Sequence, residues 1–168
     1  MKKFILPVVL IALVLPAMAQ KDSTKTSEKK FRFGFGLGFG MFTQSASVLN
    51  ASAELQGEYK PAKGFSVYGS LAYNRLFVTG GDLGSGSAGY ATLVVGPRAY
   101  LSPKFFVGIG GGIAFFAGSG ASASAFDYNP HVGFDGKKVQ FIFGYNGLTD
   151  EGDNLGIAQV KVVFKLGK

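Results

Sequence analysis

From Phe31 to Phe42 the chain reads Phe-Arg-Phe-Gly-Phe-Gly-Leu-Gly-Phe-Gly-Met-Phe, with a large apolar side chain at every odd position and little but glycine between. Successive residues of an extended strand point to opposite faces, so this segment presents an apolar wall on one side and nearly bare backbone on the other. A half-buried strand of a soluble protein would carry polar side chains on its second face. A strand around the lumen of a narrow closed barrel needs small ones there. The pattern therefore predicts lipid outside and a crowded interior.

Eight segments with this period of two follow one another: Phe31 to Phe42, Asn50 to Lys60, Phe65 to Val78, Ala88 to Leu101, Phe105 to Ala117, Ser124 to Phe134, Val139 to Leu148 and Leu155 to Leu166. Each is long enough for a tilted strand to cross a bilayer, which takes about 9 to 11 residues. The predicted fold is all-β, an eight-stranded antiparallel up-and-down transmembrane β-barrel over residues 31–168.

The connections carry independent information. Lys60-Pro-Ala-Lys-Gly64, Ser102-Pro-Lys104 and Asp135-Gly-Lys-Lys138 have the composition of tight turns. The other four, around Thr43 to Leu49, Thr79 to Ser87, Gly118 to Ala123 and Thr149 to Asn154, read as longer loops. Such alternation is that of an outer-membrane barrel with short periplasmic turns and longer outer loops, and it puts the N-terminus in the periplasm. Charge sorts along the same axis. Lys60, Lys63, Lys104, Lys137 and Lys138 fall at the short turns, and Asp82, Asp150, Glu151 and Asp153 in the longer loops.

The apolar faces supply the expected lipid contacts, among them Phe33, Phe35, Phe39, Val107, Ile109, Phe141 and Phe143. The opposite faces hold glycine together with Glu54, Gln56, Glu58, Ser66, Tyr68, Gln140, Gln159 and Lys161. A secreted barrel of the lipocalin type would put its apolar side chains inward instead.

Composition agrees with strands. The chain has 26 Gly, 17 Phe and 7 Tyr, with no Trp and no Cys. Residues 1–19, with Lys2 and Lys3, an apolar run to Leu15 and Ala17-Met-Ala19, read as a secretory signal peptide. That run is too short to span a bilayer as a helix. Gln20 to Lys30 is wholly polar and reads as a flexible periplasmic tether. The net charge of +7 suggests no nucleic-acid partner, because the basic residues are scattered over turns and leader.

Candidate chemistry lies in the interior. Arg32, Glu54, Glu58 and Lys161 share the inward face of the first, second and last segments, which become neighbours when the barrel closes. Buried charges require partners, so Glu54 and Glu58 are expected to pair with Arg32 and Lys161, in a network that also includes Arg98 and His131. Its simplest role is to plug and stiffen the barrel, and the alternative is to gate a narrow pore. A lipid-modifying enzyme is a third reading, since His131 follows Asp127 by four residues on one face. No nucleophile stands two residues beyond it, however; that position is Gly133. No catalytic residue, cofactor or metal is expected. Gly-x-Gly in the first and fifth segments keeps strict strand alternation and lacks the helix of a dinucleotide loop. Pro97 and Pro130 each remove a ladder hydrogen bond, and a bulge at either would reverse the facing of Arg98, Tyr100 or His131.

The leader ending Ala-Met-Ala-Gln20, the Gly-aromatic first strand, and Val95-Gly-Pro-Arg-Ala-Tyr-Leu101 followed by a tight turn and Phe105-Phe-Val-Gly-Ile-Gly-Gly-Gly-Ile113 together resemble the small OmpA/OmpX-like outer-membrane β-barrel domains of Gram-negative bacteria. The resemblance implies a cell outer-membrane location and a structural or surface-interaction role. It implies insertion by the outer-membrane assembly machinery. Membrane lipids and lipopolysaccharide are the expected partners, and the oligomeric state is left open with a monomer favoured. The last segment departs from the terminal aromatic common in such domains, ending Phe164-Lys-Leu-Gly-Lys168.

Overall fold

A computed structural model describes residues 31–44, 48–78, 86–118, 121–150 and 153–166. The signal peptide and tether read from the sequence, and loop residues such as Asp82 and Glu151, lie outside the described residues. Eight strands make up the fold: β1 (Phe31–Phe42), β2 (Val48–Ala62), β3 (Phe65–Val78), β4 (Gly86–Tyr100), β5 (Phe105–Gly118), β6 (Ala121–Asp135), β7 (Val139–Asp150) and β8 (Asp153–Leu166). Each pairs antiparallel with the next, and β1 pairs with β8 to close the barrel. Closure leaves no free edge, which is what a sheet in hydrocarbon requires, since unpaired backbone groups there find no water.

Two of the connections read as long loops are short. Gly118 pairs with Ala121 and Asp150 pairs with Asp153, so β5–β6 and β7–β8 are each joined through two residues. Gly118 and Ser122 on one side, and Thr149, Asp150, Asp153 and Asn154 on the other, continue the strands, because barrel pairing satisfies their backbone groups whatever their side chains. Loops of five and seven residues join β1 to β2 and β3 to β4. The short-turn end is built as its residues suggest. Gly64 turns the chain at φ +82°, a conformation open to glycine. The β2–β3 register shifts between Tyr59 and Ala62, a bulge that takes up Pro61 at the rim.

Neither Pro97 nor Pro130 produces a bulge. Val95 pairs with Gly111 and Arg98 with Gly108, one unbroken register across the proline, and Tyr128–Gly147 and His131–Gly144 do the same for Pro130. Each strand simply lacks pairing at the proline on one side, and the alternation of faces runs straight through. The structure places Phe33, Phe35, Phe39, Val107, Ile109, Phe141 and Phe143 on the outer surface, from 60% exposed at Phe33 to 36% at Val107. Inside stand buried Glu54, Gln56, Glu58, Arg98, Asp127, His131 and Gln140. An apolar outside around a polar inside is the arrangement of a membrane-spanning barrel.

The interior is not uniformly polar. At the long-loop end, buried Tyr90, Ala114, Leu148 and Ile157 pack with Phe42, Leu76 and Phe116; nearer the short turns Phe106, Ile142 and Val163 pack with Tyr100. The same alternation that faces polar residues inward carries these apolar ones with them.

Placing a cation on the lipid face should be costly. Phe35→Arg is expected to destabilise the barrel by about 2–4 kcal/mol if the side chain lies near the bilayer midplane, measured by urea titration of folding into lipid vesicles. Folding indistinguishable from the parent would show that Phe35 does not face lipid.

Candidate functional site: the lumen network

Strands this closely packed bring side chains from all sides of the lumen into contact, and the polar ones form layers along the barrel axis. At the short-turn rim the end of β6 supplies Asp135. Its Oδ2 accepts from Arg32 Nη1 and Lys60 Nζ, each at 3.1 Å, and its Oδ1 accepts from Gln140 Nε2 at 3.0 Å. Lys165 also pairs with Oδ1, and its ammonium donates to the Gly136 carbonyl at 2.6 Å. One carboxylate thus anchors three cations drawn from β1, β2 and β8.

A step deeper, Glu58 Oε1 accepts from Ser66 Oγ and Tyr100 Oη, both at 2.6 Å, and its Oε2 accepts from Gln140 Nε2 at 3.2 Å. Short bonds of this kind to a carboxylate are strong ones. The centre belongs to Arg98, 1% exposed. Its Nη2 donates to Gln56 Oε1 at 2.9 Å and its Nε to His131 Nε2 at 3.0 Å, and its guanidinium lies 4.0 Å from the Tyr68 ring centre and 4.7 Å from that of Phe106. A planar, weakly hydrated cation is suited to such stacking in a dry place.

Because Arg98 Nε can only donate, His131 Nε2 must accept, and the ring proton sits on Nδ1, 3.0 Å from the Asn129 carbonyl. The imidazole is therefore a neutral structural link with both nitrogens engaged. Asp127, read with it as a possible dyad, turns instead toward Asn146 at 3.5 Å. Above this level Lys161 Nζ donates to Glu54 Oε2 at 2.8 Å. Asn129 Nδ2 and Gln159 Nε2 both donate to Asn146 Oδ1, and the Tyr68 hydroxyl donates to Asn129 Oδ1 at 3.4 Å.

Of the sequence-predicted pairs, Glu54 and Lys161 meet. Arg32 and Glu58 face each other across the β1–β2 ladder, but the Arg32 guanidinium reaches to Asp135 and Glu58 takes neutral donors instead. Arg98 and His131 bond to each other. The residue missed was Asp135, read only as half of an Asp-Gly turn. Counting the strand in twos from Asn129 and His131 through Gly133 would have pointed it into the lumen. Gln56, Tyr68 and Gln140 stood on the predicted inner face without an assigned role.

Glycine makes the space these side chains occupy. A Cβ on Gly108 would come within 2.5 Å of His131 Nε2 and 2.9 Å of Arg98 Cγ; one on Gly110 would meet Tyr68 Oη at 2.2 Å, and one on Gly36 would meet Glu54 Cγ at 2.6 Å. At Gly112 the obstacle is backbone, the Leu93 carbonyl oxygen at 1.9 Å.

No family model matches the chain, and no curated protein matches it. Solved structures do. The outer-membrane protein Ail of Yersinia pestis, in a phospholipid bilayer nanodisc, superposes with TM-score 0.57 at 14% identity, over 80% of this chain and 99% of that one. A de novo designed transmembrane β-barrel gives 0.53 at 9% identity, over 84% and 100%. The N-terminal β-barrel domain of Pseudomonas aeruginosa OprF gives 0.50 at 10% identity, over 80% and 97%. At these identities the likeness is one of fold: the chain has the architecture of small eight-stranded outer-membrane barrels.

Two measurements follow. Glu54 and Lys161 should show a coupling energy of about 0.5–3 kcal/mol in a double-mutant cycle on unfolding, whereas Arg32 and Glu58, joined only through Asp135, Gln140 and Tyr100, should show a smaller one. Equal coupling for both pairs would mean that the Arg32 guanidinium does not reach Asp135. Gly112→Ala should cost about 1–3 kcal/mol by overpacking against backbone. Gly57→Ala, whose Cβ would meet only the Phe33 ring at 3.6 Å, should be close to neutral in the same urea titration.

Proposed function

We propose that this chain is an integral protein of a Gram-negative cell outer membrane, with its N-terminus in the periplasm, its short turns at the periplasmic face and its lumen closed to solutes. Its role is structural, or one of surface interaction through the long-loop end, and not enzymatic. Its partners are membrane lipids, lipopolysaccharide and the outer-membrane assembly machinery. The observation that carries this reading is the continuous filling of the lumen. The Asp135 layer, the Glu58 layer, the Arg98 centre and the Glu54–Lys161 layer succeed one another, and the apolar packing of Tyr90, Leu148 and Ile157 follows. Eight strands enclose room for side chains and little else. His131, with both ring nitrogens engaged by Arg98 and Asn129, is not placed to serve a nucleophile.

A narrow pore for ions or small solutes is the second reading. It is favoured by buried polar atoms in the lumen that lack a hydrogen-bond partner among the described residues: Glu54 Oε1, Arg98 Nη1 and Asp127 Oδ1. Such atoms are the ones water would serve.

The protein should be recovered in the outer-membrane fraction and should migrate differently on a detergent gel before and after heating. In planar bilayers the parent should show no steady conductance. Recovery as a soluble periplasmic protein would overturn the localisation, and discrete single-channel steps in purified parent protein would replace the plugged barrel with the pore.

A further inference from the structure

The short-turn mouth of the barrel holds a cavity of about 440 Å³ lined by Arg32, Lys60, Lys63, Tyr100, Ser102 and Asp135, with Ala62, Gly64 and Pro103 completing its wall. Three cations and one carboxylate face this space. Asp135 already receives Arg32, Lys60 and Lys165, so its single charge is shared three ways, and Lys63 on the turn is exposed and takes no part in that cluster. The cavity therefore has an excess of two positive charges over the carboxylate in its own lining. Asp135 forms the floor, with its side chain only 4% exposed, and holds the cations in place while the Arg32 side chain remains 27% exposed. Lys60 Nζ is steadied further, 3.7 Å over the Tyr100 ring.

The donors suit an oxyanion. Ser102 Oγ accepts from the backbone N–H groups of Phe105 at 3.1 Å and Lys104 at 3.3 Å, which leaves its own O–H free to donate into the cavity. A guanidinium, two ammonium groups and a hydroxyl around one opening make a set that a tetrahedral, multiply charged anion can satisfy with several charge-assisted bonds at once.

We propose that this mouth is a binding site for an anion of the phosphate class, inorganic phosphate or a phosphomonoester, whose charge of about −1.5 to −2 at neutral pH matches the excess in the lining. Arg32, Lys60, Tyr100 and Asp135 all project to the lumen side of the barrel wall, so the site opens to solution through the mouth. The site is independent of whether the lumen conducts, because its floor is the Asp135 layer and its readout is binding.

The test is calorimetric titration of the folded protein in a phosphate-free detergent with inorganic phosphate at pH 7, against chloride at matched ionic strength. Saturable binding of phosphate but not chloride is expected, weakened about tenfold in Lys63→Gln, which removes a charge-assisted bond, and unchanged in Lys137→Gln, which removes the same charge elsewhere on the rim. Lys63 is exposed and outside the Asp135 cluster, so its replacement leaves folding intact; Lys60→Gln should weaken binding further. Repeating the titration in nanodiscs containing phosphatidic acid, whose headgroup is a phosphomonoester, separates two sources of the same chemistry. Unchanged affinity assigns the site to a free anion, and loss of affinity assigns it to a lipid phosphate. No saturable phosphate binding in detergent, or equal effects of Lys63→Gln and Lys137→Gln, would overturn the proposal.

Discussion

Eight strands close around so narrow a space that several large side chains in the lumen depend on a missing one opposite or beside them. Arg98 and His131 fit because position 108 is glycine, Tyr68 because position 110 is, and Glu54 because position 36 is. The alternating glycines that first define the strands are thus the complement of the polar network. Packing this tight leaves no room for a methyl group at those positions.

That crowding also decides how the interior charges are handled. A buried ion costs several kcal/mol unless hydrogen bonds and opposite charge replace its water. Glu58 is served by two hydroxyls and an amide, Arg98 by an amide, an imidazole and two aromatic faces, and Glu54 by an ammonium. At the rim the charges gather with an excess of cations, because there the mouth is open to water and the excess can be solvated. On the proposed reading the open mouth serves recognition and the bonded middle serves rigidity.

The apolar packing at the long-loop end completes this division. Tyr90, Leu148 and Ile157, with Phe42, Leu76 and Phe116 around them, form an apolar cluster inside the barrel at that end. The barrel is held by polar bonds below and by packing above, and its outer surface presents apolar side chains from all eight strands.

Much of this was readable in the chain itself. Strand facing depends on a period of two, a local property, so the apolar face, the inner face and the count of eight strands followed from alternation. Facing beyond Pro97 and Pro130 did not, because a bulge at either would have reversed it, and the unbroken registers of the closed sheet decided it. Pairing of Glu54 with Lys161 followed too, because closure makes the first and last strands neighbours. The loop lengths at β5–β6 and β7–β8 did not, since Gly, Ser and Asp signal turns in isolation yet sit in strands wherever a ladder satisfies their backbone. Nor did the partner of Arg32. It lies 103 residues away, on a strand that shares no ladder with β1, and only the three-dimensional closure of the barrel, which gathers the ends of β1, β2, β6 and β8 around one mouth, sets Asp135 within 3.1 Å. Alternation tells each side chain which way to point; which others it meets is decided by curvature and by how far the strands are staggered, quantities that belong to the closed sheet and to no single segment of it.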